Sequence, residues 1–217
     1  MIIHTVRLWC FGETKSLQKL CTFVKNDSSV TNLLNIEFDD GIKTEVIDEK
    51  SNPLKIRFGS FQNTDFRASK VFSNLFKNFK DILFLGSAWI FAIEHGKVGA
   101  SYFIGKDGKL LGYGDDFLSC EEEDEEEITT EMENKTADYY SEWFTDWFFD
   151  DIADKLCKKT WQDEIFCDNL IEFSQLYSQN KDNPYYNNFI ATASSYVNYF
   201  PKSFAKKHGL DNKKKKV

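Results

Sequence analysis

The run from Ile82 to Tyr113 restricts the fold more than any other stretch, because its central strand is apolar on both sides. Over residues 87–94, Trp89, Phe91 and Ile93 alternate with Ala88, Ile90 and Ala92, the period of two that sends successive side chains to opposite faces of a sheet. Such a strand needs a covering layer on each face, so the helices before and after it are expected to pack on the sheet. A turn at His95-Gly96, a second run over 100–104, the turn Asp107-Gly108 and a third run over 109–113 complete a β-meander. Asp-Gly between two such runs signals a type I′ hairpin, whose two central residues both need φ > 0.

Upstream, Val6, Leu8 and Cys10 alternate with Thr5, Arg7 and Trp9 in a first strand that stops at Gly12. Leu17, Leu20, Cys21 and Val24 then recur at helical spacing, with Thr14 as the expected N-cap. Runs 33–38 and 42–47 flank Asp39-Asp40-Gly41 as an expected hairpin, and Asn52-Pro53 breaks the chain. Leu54, Ile56 and Phe58 alternate with Lys55 and Arg57 as a half-buried strand. A second helix, capped by Thr64 or Asp65, presents Phe72, Leu75, Phe76 and Phe79.

Strand, helix, hairpin, strand, helix and meander, in that order, give an α+β class. The expected architecture is a ferredoxin-like antiparallel sheet of split βαβ type, enlarged by the extra β-meander, over residues 1–114. The run Leu54-Lys55-Ile56-Arg57-Phe58-Gly59-Ser60-Phe61, the amphipathic helix after it, Trp89 to Glu94, His95-Gly96, Tyr102, Gly105 and Asp107-Gly108 resemble the YubB-like ferredoxin-fold proteins of plasmids and phages. The resemblance covers residues 1–114. It implies that fold and a mobile-element context, and it assigns no catalytic residues.

From residue 136 onward the period changes to about 3.6. Tyr140, Phe144, Trp147, Phe148, Ile152 and Leu156 mark one helix. Ile165, Phe166, Leu170, Phe173 and Tyr177 mark a second, ended at Asn183-Pro184; Phe189, Ile190, Ala193, Tyr196 and Val197 mark a third, closed by Pro201. An aromatic-rich helical region is expected over 135–205, forming either its own bundle or a cap on the sheet, followed by a basic tail over 206–217.

Charge is concentrated in one place. Between Asp115 and Glu133 there are eleven acids and no Lys or Arg, which leaves 27 bases and 24 acids elsewhere, so the formal net charge of −8 belongs to that segment. A like-charge block of this density reads as a solvated acidic linker, here 115–134. Asp138, Glu142, Asp146, Asp150 and Asp154 continue it as a stripe on the first C-terminal helix.

No phosphate-loop, dinucleotide-binding or hydrolase-elbow motif occurs. The five cysteines never stand at Cys-x-x-Cys spacing, and His4, His95 and His208 lie in separate segments; no metal site, cofactor or catalytic residue is assigned. No apolar run approaches the ~20 residues of a membrane span and the N-terminus lacks a signal-peptide layout, so a cytoplasmic protein is expected. The expected function is a non-enzymatic interaction module whose acidic surface docks on a basic protein partner, one form being an inhibitor from a phage or plasmid. Partner-binding residues on this reading are Glu121, Glu122, Glu123, Asp124, Glu125, Glu126, Glu127, Asp138, Glu142, Asp146, Asp150 and Asp154 for charge, with Trp143 as an anchor. The alternatives are a nucleic-acid-binding module using Lys97, Lys106, Lys109 and the meander aromatics, and an enzyme whose site is assembled from scattered residues.

Overall fold

A computed structural model of the protein describes residues 2–34, 37–38, 44–62, 71–92, 97–119, 143–174 and 184–210. The chain forms two compact units, Met1–Glu123 and Asp124–Val217. Among the described residues no helix is long and apolar enough to cross a membrane.

The first unit contains β1 (Ile2–Phe11), α1 (Thr14–Val24), α2 (Asp27–Leu34), β2 (Glu37–Phe38), β3 (Thr44–Asp48), β4 (Leu54–Gln62), α3 (Ser73–Asn78), β5 (Leu83–Ala92), β6 (Lys97–Lys106) and β7 (Lys109–Ser119). All seven strands join one antiparallel sheet in the order β2, β4, β1, β5, β6, β7, with β3 also paired to β4. β1 lies between β4 and β5, and its ladder with β5 runs unbroken from Ile2↔Ala92 to Phe11↔Leu83. The expected α+β class is the one found.

Alternation along the strands decides what each face holds. Val6, Leu8 and Cys10 of β1, Leu54, Ile56 and Phe58 of β4, and Phe84 and Phe103 form one core with Leu17, Leu20, Cys21 and Val24 of α1, Val30 and Leu34 of α2, and Phe72, Leu75 and Phe76 at α3. Two glycines make this core possible. A Cβ at Gly86 would run into the Phe103 ring, and one at Gly105 would come within 2.6 Å of the Phe76 ring, so each ring occupies space that a side chain would need. Phe103 also stacks on Phe72, with centroids 5.0 Å apart and planes at 17°. The opposite face is buried too, at Trp9, Leu85, Ser87, Tyr102 and Ile104. Phe84 and Leu85, earlier in the same strand, are buried on opposite faces; of the residues expected to be covered, Ala88 is buried, while Ile93 and the side chains of Trp89, Ile90, Phe91 and Ala92 lie outside the described residues.

Several boundaries differ from the sequence expectation. Residues 33–34 end a helix instead of starting a strand: the Asn26 side chain accepts the Ser29 N–H (3.1 Å) and starts α2, whose Val30 and Leu34 are buried. Both β2 and β3 pair with β4, and the expected turn at Asp39-Asp40-Gly41 lies outside the described residues, as do Thr64 and Asp65. Asp115 to Ser119, assigned to the acidic linker by charge, are the end of β7, where Ser119 pairs with Lys97. The Asp107-Gly108 turn forms as expected, with φ of 53° and 75°.

The second unit is helical in its described part. Residues 143–147 are α-helical and run into a π turn (Phe148–Ile152) and a 3₁₀ turn (Ala153–Lys155). Then follow α4 (Lys158–Trp161), α5 (Glu164–Ser174), α6 (Pro184–Ala193), a 3₁₀ turn (Ser194–Tyr196) and α7 (Lys202–Lys207). Its core is a set of rings around Trp161. Phe148, Phe149, Phe166, Tyr199 and Phe200 have centroids 5.1–6.5 Å from that indole, whose Nε1 donates to the Ala153 carbonyl at 2.9 Å.

Here too the structure corrects the expectation. Phe148 and Phe149 are consecutive and both buried, and they stand in a π turn instead of the uninterrupted α-helix expected. Pro184 begins α6, as a residue lacking an N–H can at the first helical position; the expected end of the preceding helix at Asn183 lies outside the described residues. Ile165 is 48% exposed because the buried stripe of α5 is Phe166, Cys167, Leu170, Ile171 and Phe173. The basic tail starts later than expected: Lys206 and Lys207 belong to α7, and Leu210 beyond them is buried.

Candidate functional site

The acidic surface expected from the sequence is described only in part. Glu121 to Glu127, Asp138 and Glu142 lie outside the described residues. Trp143 is half-buried and stacks on Trp147, centroids 6.4 Å apart. Asp146, Asp150 and Asp154 are exposed, on a segment that passes from α-helix through the π turn (Phe148–Ile152) into the 3₁₀ turn (Ala153–Lys155).

The acids of this unit divide by what they touch. Asp154 accepts the Tyr199 hydroxyl at 2.6 Å, and that bond raises the phenol above its ordinary pKa. Asp163 accepts the N–H groups of Ile165 and Phe166 (3.0 and 3.3 Å) and starts α5. Glu164 accepts the Ser203 hydroxyl, and Asp168 takes the Lys207 ammonium on both oxygens at 2.9 Å, with His208 Nε2 3.5 Å away. These four carboxylates hold their own unit together. Asp146, Asp150 and Asp151 are exposed and, among the described residues, meet no cation and no donor. They stand on a segment anchored by buried Phe144, Phe148, Phe149 and Ile152.

The structure also brings together residues that sequence reading treated only as the polar members of alternating strands. Register places Glu45, Arg57, Arg7, Ser87 and Tyr102 in one row across five strands, on the face opposite the helices. Ser87 and Tyr102 are fully buried, Arg7 and Arg57 half-buried, and Glu45 exposed. Arg7 and Arg57 are thus cross-strand partners, a like-charge pairing disfavoured by a few tenths to about 1 kcal/mol. Lys55, one row along, lies with Nζ 4.2 Å over the Trp9 ring. Arg57 Nε is buried with no hydrogen-bond acceptor. An orphaned buried donor costs roughly 1–3 kcal/mol, more than the like-charge pairing itself. The signal in the sequence was the recurrence of cations at alternate positions in two strands, Arg7 and then Lys55 and Arg57, but only the register shows that they meet.

No family model matches the chain, nor does any curated protein or solved structure.

The remaining candidates are placed as follows. Tyr102, Phe103 and Ile104, the aromatic run considered for base stacking, are buried at 1% exposure or less, and Phe103 lies inside the helix-covered core. Lys106 and Lys109 flank the Asp107-Gly108 turn and pair across it; the Lys97 side chain lies outside the described residues. Among the described residues no three His, Cys, Asp or Glu side chains converge as metal ligands. Of the described cysteines, Cys10 and Cys167 are buried and burial pushes both thiols well above their ordinary pKa, while Cys157 is exposed.

Proposed function

We propose that the protein is a cytoplasmic, non-enzymatic interaction module whose acidic surface on the helical unit docks on a basic protein partner. The observation that carries this reading is the set Asp146, Asp150 and Asp151. Between residues 143 and 174 there are eight acids against three lysines. Four of those acids have partners within the unit and Glu172 has an interaction of its own, whereas these three project charge from a support built of buried rings. Half-buried Trp143, on the same helical segment, supplies an aromatic anchor beside them. The acidic run 121–127 would extend the same negative surface.

The strand order supports the finer reading of the sheet. Counting β2 and β3 as one broken strand, the outer edge, β4, β1 and β5 stand in the order 2-3-1-4, all antiparallel, with helices after the first and third. That order is the one a split βαβ arrangement of ferredoxin-like type would give, with β6 and β7 added as the meander. It agrees with the element order on which the resemblance to the YubB-like proteins rests, and on that basis we read the chain as serving a plasmid or phage.

Affinity capture from cytosol at low and at high salt tests the function. Attraction between solvated charges decays over about 8 Å at physiological ionic strength. The expected result is a basic protein retained at low salt and released as salt rises. Capture of acidic or nucleic-acid components with no salt dependence would overturn it.

A further inference from the structure

We propose that the outer edge of β7, over residues 112–119, receives an extended Lys- or Arg-rich segment of the partner as a further strand of the sheet. The inference rests on the reading above that the partner is basic, and it names the form in which such a partner is recognised. Among the described residues β7 pairs on one side only, with β6, and that ladder runs unbroken from Lys97↔Ser119 to Ile104↔Gly112. Every second residue of such a strand turns its N–H and C=O away from the sheet, where another strand can pair with them.

The main chain at this edge is open. Gly112 and Gly114 of β7 are only half-buried, whereas Gly86 of β5 and Gly105 of β6 are buried. A glycine has no side chain, so the exposure of Gly112 and Gly114 is that of the backbone itself. The other edge of the sheet is divided between short β2 and β3, and the β3 ladder shifts register between Val46 and Asp48. Short and irregular edges resist strand addition. Residues 112–119 are regular and contain no proline.

Charge decides the occupant. Residues 112–119 carry Asp115 and Asp116 and no Lys or Arg, and the acidic run from Glu121 follows them in the sequence. A second copy of this chain laid antiparallel over the same residues would bring the two Asp pairs beside each other, and like charges on neighbouring strands oppose pairing. A strand of alternating cations reverses that sign. Its main-chain hydrogen bonds supply affinity, and the acids of β7 select it over neutral or acidic strands.

The test titrates the full chain with an alternating Lys–Val peptide blocked at both ends, and with the same peptide N-methylated at every residue, which keeps the charge and removes every backbone donor. Amide hydrogen exchange reports where each binds. The expected result is saturable slowing of exchange at alternate amides of residues 112–119, with affinity lowered about tenfold or more by N-methylation and lowered also in the Asp115→Asn, Asp116→Asn variant. Equal binding of the two peptides, with protection elsewhere, would overturn strand addition while leaving the basic-partner reading standing. Absence of binding by the unmethylated peptide overturns the proposal as well; salt-sensitive capture of a basic protein then decides the basic-partner reading separately. Slowing at residues 112–119 that grows with protein concentration and without peptide would mean that a second copy takes the edge, and would also overturn it.

Discussion

Gly105 shows how a residue without a side chain holds a core together. A Cβ there would meet the Phe76 ring at 2.6 Å, and that ring also lies 5.0 Å from Phe84 and 6.3 Å from Phe103. Gly105→Ala should therefore destabilise the protein by about 1–3 kcal/mol through overpacking, read as a lower urea midpoint with an unchanged slope. A change of a few tenths would mean that the Phe76 ring moves aside freely. Thiol chemistry gives a second test at this scale. The thiolate is the reactive form, and burial suppresses it at Cys10 and Cys167, so alkylation of the native protein should modify Cys157 well before either of these. Mass mapping of the modified peptides checks the order. Residue-level burial was legible where the pattern was strict, as at Leu17, Leu20, Cys21 and Val24. It failed at Ile165, because periodicity fixes the spacing of a stripe but not its phase when apolar residues crowd a helix.

Elements were legible by type more than by boundary. α1, the Asp107-Gly108 hairpin and the alternation of β1 and β4 follow from local sequence, since each depends on spacing or turn chemistry within a few residues. α2 did not, because Asn26 and Ser29 act through a single side-chain cap that competes with a strand-like run. The π turn after residue 147 was equally hidden, since the apolar spacing there continues the pattern of an ordinary helix. α1 is tied to the turn before β5 by the Ser16 hydroxyl, which donates to Asp81; that bond is the main cause holding the Asp81 carboxyl below its usual range. A depressed carboxylate contributes stability above its unfolded pKa and loses it as pH falls through the folded one. Wild-type stability should thus decline below about pH 4 more steeply than that of Ser16→Ala, with a small difference because Asp81 is exposed. Parallel acid profiles of the two would remove this clasp from the account.

At the scale of the molecule, the change of period after the meander separates a sheet from helices, and the two compact units, Met1–Glu123 and Asp124–Val217, respect it. The candidate site was half legible. Counting acids singled out this region of the sequence, but only the contacts of Asp154, Asp163, Glu164 and Asp168 show which carboxylates are already engaged. The row of Arg57 and Arg7 depends on strand register between residues 50 apart and has no local sign. The central claim is that free carboxylates on the helical unit recruit a basic partner. Its most direct test is capture at low salt by a variant carrying Asp146→Lys, Asp150→Lys and Asp151→Lys, with circular dichroism to verify the fold. These exposed positions tolerate the change, so the account predicts a folded protein that no longer retains the partner. Undiminished capture by that folded variant would contradict it.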